Sequence, residues 1–148
     1  MKLLAIDGNS IFNRAFYGIR PLNAPDGTPT NAIYGFLSML DKMTKELEPD
    51  YIAVAFDVHQ PTFRHEAYAD YKAGRHSAPE EFHIQMPIMQ NLLNDLNIPV
   101  ITRPGFEADD ILGTLSQMCK NEGIECCLYT GDKDSFQLVD DNVKVYLP

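Results

Sequence analysis

The sequence has few cysteines and no long apolar run, and these shortages exclude several classes of protein. Its three cysteines, Cys119, Cys126 and Cys127, lack a paired CxxC spacing. A structural zinc site needs four ligands at defined spacings, so we interpret them as small buried residues in a reducing compartment. No apolar run approaches the ~20 residues of a membrane helix, and residues 3–6 are too short for a signal peptide. We therefore expect a cytoplasmic protein without a membrane partner.

Positive charge is also scarce, and several phosphate-handling motifs are missing. The chain has 12 basic against 21 acidic residues, a net charge of −9, whereas DNA-binding domains usually carry a basic surplus. It has no GxxxxGK[ST] loop, no GxGxxG turn and no nucleophile elbow, which excludes P-loop, dinucleotide and serine-triad chemistry. The stretch IDGNS is similar to the start of haloacid-dehalogenase-type phosphohydrolases, but that chemistry needs a second aspartate where Asn9 stands.

Short apolar runs alternate with helical periods along the 148 residues, a length that suits one domain. The predicted strands cover residues 3–6, 51–56, 98–102, 126–129 and 142–147. Helical spacing of apolar residues predicts helices over about 33–47, 84–96 and 108–119. We take Thr30 as the cap of the first of these helices. Strand–helix alternation predicts an α/β fold: a doubly wound, mainly parallel sheet with helices on both faces.

The segment from about 58 to 83 fits no core element. Cations and aromatic residues alternate along it, among them Phe63, Arg64, Tyr71, Lys72 and Arg75. A connection of this length inside a compact domain is usually functional or mobile. Cations neutralise phosphates and aromatic faces stack on unpaired bases, so a nucleic-acid role fits. A solvated surface loop with incidental aromatic residues is the alternative.

Carboxylates follow four of the predicted strands. They are Asp7, Asp57, Glu107, Asp109, Asp110, Asp132 and Asp134. Because ligands of open α/β sheets bind outside the carboxyl ends of the strands, parallel strands would bring all seven groups to one edge. Asp109 and Asp110 point away from the apolar stripe of their predicted helix and Glu107 lies at its margin, so we do not expect packing roles.

Each acid also has a structural explanation. Acidic residues in a first helical turn favour the helix dipole, which accounts for positions 107–110. Asp7 before Gly8, and Asp57 before a loop, suit turns. Taken together these structural explanations are weaker, because several independent coincidences would have to place acids at the same edge of the sheet.

Packed carboxylates repel each other, and a bound cation is the usual solution. All-oxygen ligands suit Mg²⁺ or Mn²⁺. Two such ions ~3.5–4 Å apart activate a water and stabilise the leaving oxygen in phosphodiester hydrolysis. Setting the seven acids aside leaves only −2 of the net charge of −9, so the acidity of the chain belongs largely to this one site.

Six ordered motifs resemble one known family. LLAIDGNSIFNRAFYGI, DGTPTNAIYGFLSML, VAFD, TFRHEAYADYKAGR, PGFEADDILGTL and TGDKDSFQLV are similar to the 5′-nuclease (5′-3′ exonuclease) domain fused to bacterial DNA polymerase I. The flap endonuclease family is the wider group, on a PIN-like fold. The resemblance covers nearly the whole chain, so residues 1–148 are expected to form the N-terminal PIN-like part of such a domain.

The resemblance implies roles for particular residues. It makes the seven acids listed above metal ligands for Mg²⁺ or Mn²⁺, with two ions in the complete domain. It gives Arg14 and Lys72 catalytic roles at the scissile phosphate, and gives DNA binding to Phe63, Arg64, Tyr71, Lys72 and Arg75. The 58–83 segment becomes a helical arch that a 5′ strand passes through or under. The implied reaction is metal-dependent hydrolysis of DNA near 5′ ends or flaps, in replication and repair.

The chain departs from that family in one respect. The family adds two aspartates that complete the second metal site and a helix–hairpin–helix module that grips duplex DNA, and both are absent before Pro148. We therefore expect either a fragment that continues into helix–hairpin–helix and polymerase parts, or a protein that works without them. Two other functions stay open: a PIN-type ribonuclease, and a nucleic-acid docking fragment without turnover.

Overall fold

A computed structural model describes residues 1–58 and 78–148 of the chain. Its framework is a sheet of five strands: β1 (Lys2–Asp7), β2 (Tyr51–Ala55), β3 (Val100–Ile101), β4 (Glu125–Tyr129) and β5 (Val143–Tyr146). All neighbouring strands are parallel, in the order β3-β2-β1-β4-β5. The predicted strands are thus all present, and β3 is shorter than the five residues expected from the sequence.

The strand order reverses at β1. From β1 the chain proceeds outwards to β2 and β3, then crosses back so that β4 pairs with the other side of β1. A crevice forms at such a switch point, outside the carboxyl ends of the strands. The sheet therefore opens its binding crevice between β1 and β4.

Helices cover both faces of the sheet, as predicted. They are α1 (Gly8–Gly18), α2 (Asn31–Leu47), α3 (Glu80–Asp95) and α4 (Ala108–Glu122), followed by a 3-10 helix, η1 (Lys133–Leu138). Residues of α1, α2 and α3 share one apolar cluster with one side of β1, β2 and β4. Residues of α4 pack on the opposite side. Within the described residues, none of these helices is long and apolar enough to cross a bilayer.

Helix α1 is absent from the elements expected from the sequence. Its buried residues Ile11, Phe12 and Ala15 have helical spacing, but the helix is only 11 residues long. Its start is marked by Asp7, an N-cap residue whose side chain accepts from the Ser10 N–H. That capping pattern is the signal from which α1 could have been predicted.

Helix α3 begins earlier and faces the core differently than expected. Its buried residues are Phe82, Gln85, Met89 and Leu93, whereas Ile84 of the predicted stripe is exposed. The ring of Phe82 packs edge-to-face against Phe12 at 4.8 Å between centroids. The connection predicted to run to residue 83 therefore ends by residue 79, and residues 80–83 belong to α3, where Phe82 alone of the four is buried. Residues 59–77 lie outside the described part of the chain.

Gln85 supplies the cap that the sequence suggested for Thr30. Thr30 is the N-cap residue of α2 by position, but its side chain makes no capping hydrogen bond. Instead, Gln85 Oε1 accepts from the N–H groups of Ala32 at 2.8 Å and Ile33 at 3.2 Å. A residue of α3 thus satisfies two donors that every helix start leaves open.

A second amide continues this network to α1. Gln85 Nε2 donates to Asn31 Oδ1 at 2.9 Å. Asn31 Nδ2 in turn donates to the carbonyl oxygens of Phe16, at 2.9 Å, and Ile19, at 3.0 Å. Gln85 is fully buried and Asn31 is 4% exposed. Two side-chain amides therefore join the end of α1, the start of α2 and the first turns of α3.

We expect Gln85→Met to destabilise the fold strongly. The change keeps the side-chain volume but leaves buried groups of α2 without their acceptor, and each such group costs about 1–3 kcal/mol. Urea denaturation should show a loss of at least ~2 kcal/mol. Gln117→Met is the matched control, since Gln117 is exposed and surface changes stay within about 0.5 kcal/mol. Equal losses in the two variants would contradict a structural role for the amide network.

Candidate functional site

Asp7 lies at the centre of the carboxyl edge, where β1 ends and α1 begins. It is only 5% exposed. Its Oδ1 accepts from the Ser10 N–H at 3.1 Å, and its Oδ2 accepts from the Thr130 hydroxyl at 2.8 Å. Thr130 directly follows β4, the neighbouring strand. Asp7 is therefore held from both sides of the switch-point crevice.

Asp57 follows β2 on the other side of β1. Its backbone N–H donates to Asn9 Oδ1 at 2.7 Å. Its carboxylate Oδ1 accepts from the N–H of Ala108, the first residue of α4, at 2.6 Å. Asp57 thus links the α1 start to the α4 start, and its carboxylate faces the positive end of the α4 dipole.

Glu107, Asp109 and Asp110 occupy the start of α4. Glu107 is the N-cap residue and is buried at 7% exposure. Asp110 Oδ2 accepts from the Glu107 N–H at 2.9 Å, as in a capping box. Asp109 and Asp110 are half-buried. Helix capping, the structural explanation of this cluster, is therefore real and coexists with its place at the sheet edge.

Asp132 and Asp134 follow β4. Asp132 is the N-cap residue of η1, and its Oδ1 accepts from the Asp134 N–H at 2.9 Å. Asp132 is half-buried and Asp134 is exposed. The four groups of acids predicted from the sequence therefore all lie at the carboxyl edge, each beside the start of a helix or 3-10 helix.

The pKa of Asp7 responds to its burial and to the charges of neighbouring acids. Burial is the largest cause that raises the pKa of Asp7 from 3.8 to about 6, and the charges of Asp57 and Asp109 raise it further. The hydrogen bonds from Thr130 and Ser10 act in the opposite direction. Carboxylates from three segments of the chain therefore lie close enough for their charges to interact.

An open cleft of about 700 Å³ extends this region between α4 and η1. Its walls include Asp109 and Asp110 from α4 and Asp134 from η1. Asp109 therefore belongs to two groups of acids, one around Asp7 and Asp57 and one around the cleft.

The chemistry of these acids fits a divalent cation. Every candidate ligand is a carboxylate, the donor that Mg²⁺ and Mn²⁺ prefer. Within residues 1–58 and 78–148, no three His, Cys, Asp or Glu side chains form a ready metal shell. Mg²⁺ does not require one, because it is commonly bound by one or two carboxylates together with waters and substrate phosphates.

Of the six cationic and aromatic candidates, the structure describes only Arg14. Arg14 is exposed on α1, about two turns beyond Asp7. Burial raises the pKa of Tyr129, and the charge of Arg14 lowers it. The remaining candidates lie outside the described residues; they are Phe63, Arg64, Tyr71, Lys72 and Arg75. The roles predicted for all six residues stay predictions.

Sequence reasoning missed three side chains that hold the acids in place: Asn9, Ser10 and Thr130. Asn9 and Ser10 lie two and three residues after Asp7, and the N-cap pattern of α1 was the available signal. Thr130 is the one residue between the last residue of β4, Tyr129, and Gly131. Its partner Asp7 is far away in sequence, so no local pattern revealed it.

The chain is therefore a doubly wound α/β domain: a parallel sheet with helices on both faces and a buried aspartate among further acids at its switch point. The chain belongs to the family described as 5′-3′ exonuclease, N-terminal resolvase-like domain, whose model matches residues 2–147.

Its relatives are longer proteins. DNA polymerase I of Mycobacterium leprae is 47% identical over 148 residues, covering 99% of this chain and 16% of that protein. The 5′-3′ exonuclease of Aquifex aeolicus is 42% identical and is covered over 52% of its length. The fold matches a complex of the bacteriophage T5 D15 flap endonuclease with DNA and metal ions. That match has a TM-score of 0.75 and 18% identity, covering 99% of this chain and 55% of that one.

The raised pKa of Asp7 predicts an unusual pH dependence in metal-free protein. The folded state binds the Asp7 proton more tightly than the unfolded state, so ionisation of Asp7 lowers stability. The stability that protonated Asp7 contributes to the fold should be fully present below pH 3.8. It should be lost as the pH rises through about 6. At ~1.4 kcal/mol per pKa unit, this amounts to up to about 3 kcal/mol.

Denaturation of the chelator-treated protein between pH 4 and 7 measures this effect. Asp7→Asn should flatten the profile, because asparagine can still cap α1 and accept from Thr130 but carries no charge. A profile of unchanged slope in Asp7→Asn would contradict the assignment.

Proposed function

We propose that this chain carries the metal-binding site of a 5′-nuclease that hydrolyses DNA phosphodiester bonds at 5′ ends or flaps. The observation that carries the proposal is the buried Asp7, which faces Asp57 and Asp109 at the switch point of the sheet. Family membership supports the reaction class, since the matching model is that of 5′-3′ exonucleases.

Two groups of acids support two cation positions. Asp7, Asp57 and Glu107 would hold one Mg²⁺ or Mn²⁺, while Asp110, Asp132 and Asp134 would contribute to the other. Asp109 adjoins both groups, through the charge of Asp7 and through the cleft wall. When bound, such ions lower the pKa of a water and neutralise the charge that develops on the phosphate oxygens.

The residues of the chain position the substrate and its charge. The acidic edge repels phosphate unless cations are present, so metal and DNA should bind together. Arg14 and Lys72 are proposed to contact the scissile phosphate. Phe63, Arg64, Tyr71 and Arg75 are proposed to hold the unpaired strand in an arch segment. The T5 flap endonuclease complex contains DNA, and we propose that this chain binds DNA as well.

The chain spans 16% of one relative and about half of another. We propose that the complete active unit includes further sequence beyond residue 148: two more acidic ligands, a helix–hairpin–helix part and, in polymerase-type relatives, a polymerase. A cytoplasmic location is part of the same proposal. The three described cysteines are buried and free, as a reducing compartment favours.

Metal binding can be separated from folding by three variants. Asp109→Asn and Asp132→Asn should weaken Mn²⁺ binding in calorimetry yet leave the metal-free fold intact or slightly more stable, since a repulsive charge is removed. Ile111→Ala should do the reverse and cost about 2–5 kcal/mol, because Ile111 is buried in the core. Unfolding of Asp109→Asn would favour a purely structural role for this acid.

Cleavage assays separate the candidate reactions. With Mg²⁺ or Mn²⁺ present, the chain should bind DNA weakly and cut it slowly, because the proposed active unit includes two further acidic ligands. It should still cut 5′-flap DNA in preference to single-stranded RNA, and chelator or Asp132→Asn should abolish the cut. If Arg64, Lys72 and Arg75 each contact one phosphate, the logarithm of the affinity for single-stranded DNA should fall with the logarithm of the salt concentration. The slope for about three contacts is roughly −2. Preferential RNA cleavage would indicate a PIN-type ribonuclease, and binding without turnover a docking fragment.

A further inference from the structure

The Thr130 hydroxyl lies between two of the proposed ligands. It is fully buried. Its Oγ1 donates to Asp7 Oδ2 at 2.8 Å and accepts from the Asp132 N–H at 3.0 Å. One atom therefore joins the carboxylate after β1 to the backbone that orients the acid after β4.

The chemistry of the three groups fixes the direction of this relay. A backbone N–H can only donate, so the Thr130 oxygen accepts from Asp132. The single hydroxyl proton is then available to Asp7, which accepts it in its ionised form. The relay therefore favours the ionised carboxylate, the form that binds a cation.

Ser10 adds a second tie across the same crevice. Its hydroxyl oxygen accepts from the Gly131 N–H at 2.7 Å, and its own N–H donates to Asp7 Oδ1. A Cβ at position 131 would lie 3.0 Å from that hydroxyl oxygen, so the loop approaches α1 very closely there. Within the described residues, each oxygen of Asp7 thus accepts one hydrogen bond and keeps lone-pair capacity for a cation.

We propose that Thr130 is a positioning residue that fixes the orientation of Asp7 relative to Asp132 and thereby sets the affinity of the site for its cation. The inference rests on the proposed function, because it requires a cation at this edge. Thr130 acts through its two partners rather than on the metal itself. Such outer partners of ligating carboxylates commonly change metal affinity by 10–100-fold.

Thr130→Val and Thr130→Ser test this role. Valine keeps the shape but removes the hydroxyl, so Mn²⁺ affinity measured by calorimetry should fall by about 10–100-fold. Serine keeps the hydroxyl and should restore affinity to within about 3-fold of the unaltered chain, a difference below 1 kcal/mol. If Thr130→Val does not fold, Thr130→Ala removes the same hydroxyl and carries the same expectation.

Thr44→Val is the matched control. Like the Thr130 hydroxyl, the Thr44 hydroxyl donates one hydrogen bond, here to the Leu40 carbonyl oxygen at 2.8 Å, but it lies near the end of α2 that leads towards the amino end of β2. Thr44→Val should bind Mn²⁺ as the unaltered chain does. Unchanged affinity in Thr130→Val, or an equal loss in Thr44→Val, would overturn the role of Thr130. Absence of Mn²⁺ binding by the unaltered chain would overturn the proposed function and this inference together.

Discussion

Repulsion among carboxylates at the carboxyl edge of the sheet is the constraint on which the rest of this structure depends. Asp7, Asp57 and Asp109 come from three segments and still lie close enough for their charges to interact. The starts of α1, α4 and η1 offset part of that repulsion. Their N–H groups donate to Asp7, Asp57 and Asp132, and the positive ends of their dipoles point to the same edge. Helix capping and the gathering of the acids at this edge are therefore one arrangement.

The strand order determines where this cluster forms. Because β1 lies between β2 and β4, the residue that follows it can contact segments from both sides. Asn9 and Ser10, in the first turn of α1, hold the backbone of the loops that follow β2 and β4. Hydrogen bonds thus tie the first turn of α1 to the Asp7 carboxylate, to the backbone of Asp57 and to the loop after β4.

A different polar network orders the helical layer. Gln85 and Asn31 lie buried among the aromatic residues of one face and join three helices through their amides. Because buried polar groups are costly when left without partners, this network specifies one arrangement of α1, α2 and α3.

The sequence by itself determined the α/β class, the five strands and the position of the seven acids after the strands. Apolar runs, helical periods and acids that follow strands are local patterns, so they can be recognised without the fold. It did not reveal α1, whose short helix is marked mainly by its cap, nor the buried position of Glu107. It predicted Thr30 as the cap of α2, whereas Gln85 supplies the capping bonds. It gave no sign that Thr130 holds Asp7. Only the tertiary structure decided these pairings, because each joins residues that are distant in sequence and meet only after the sheet and its helices have packed.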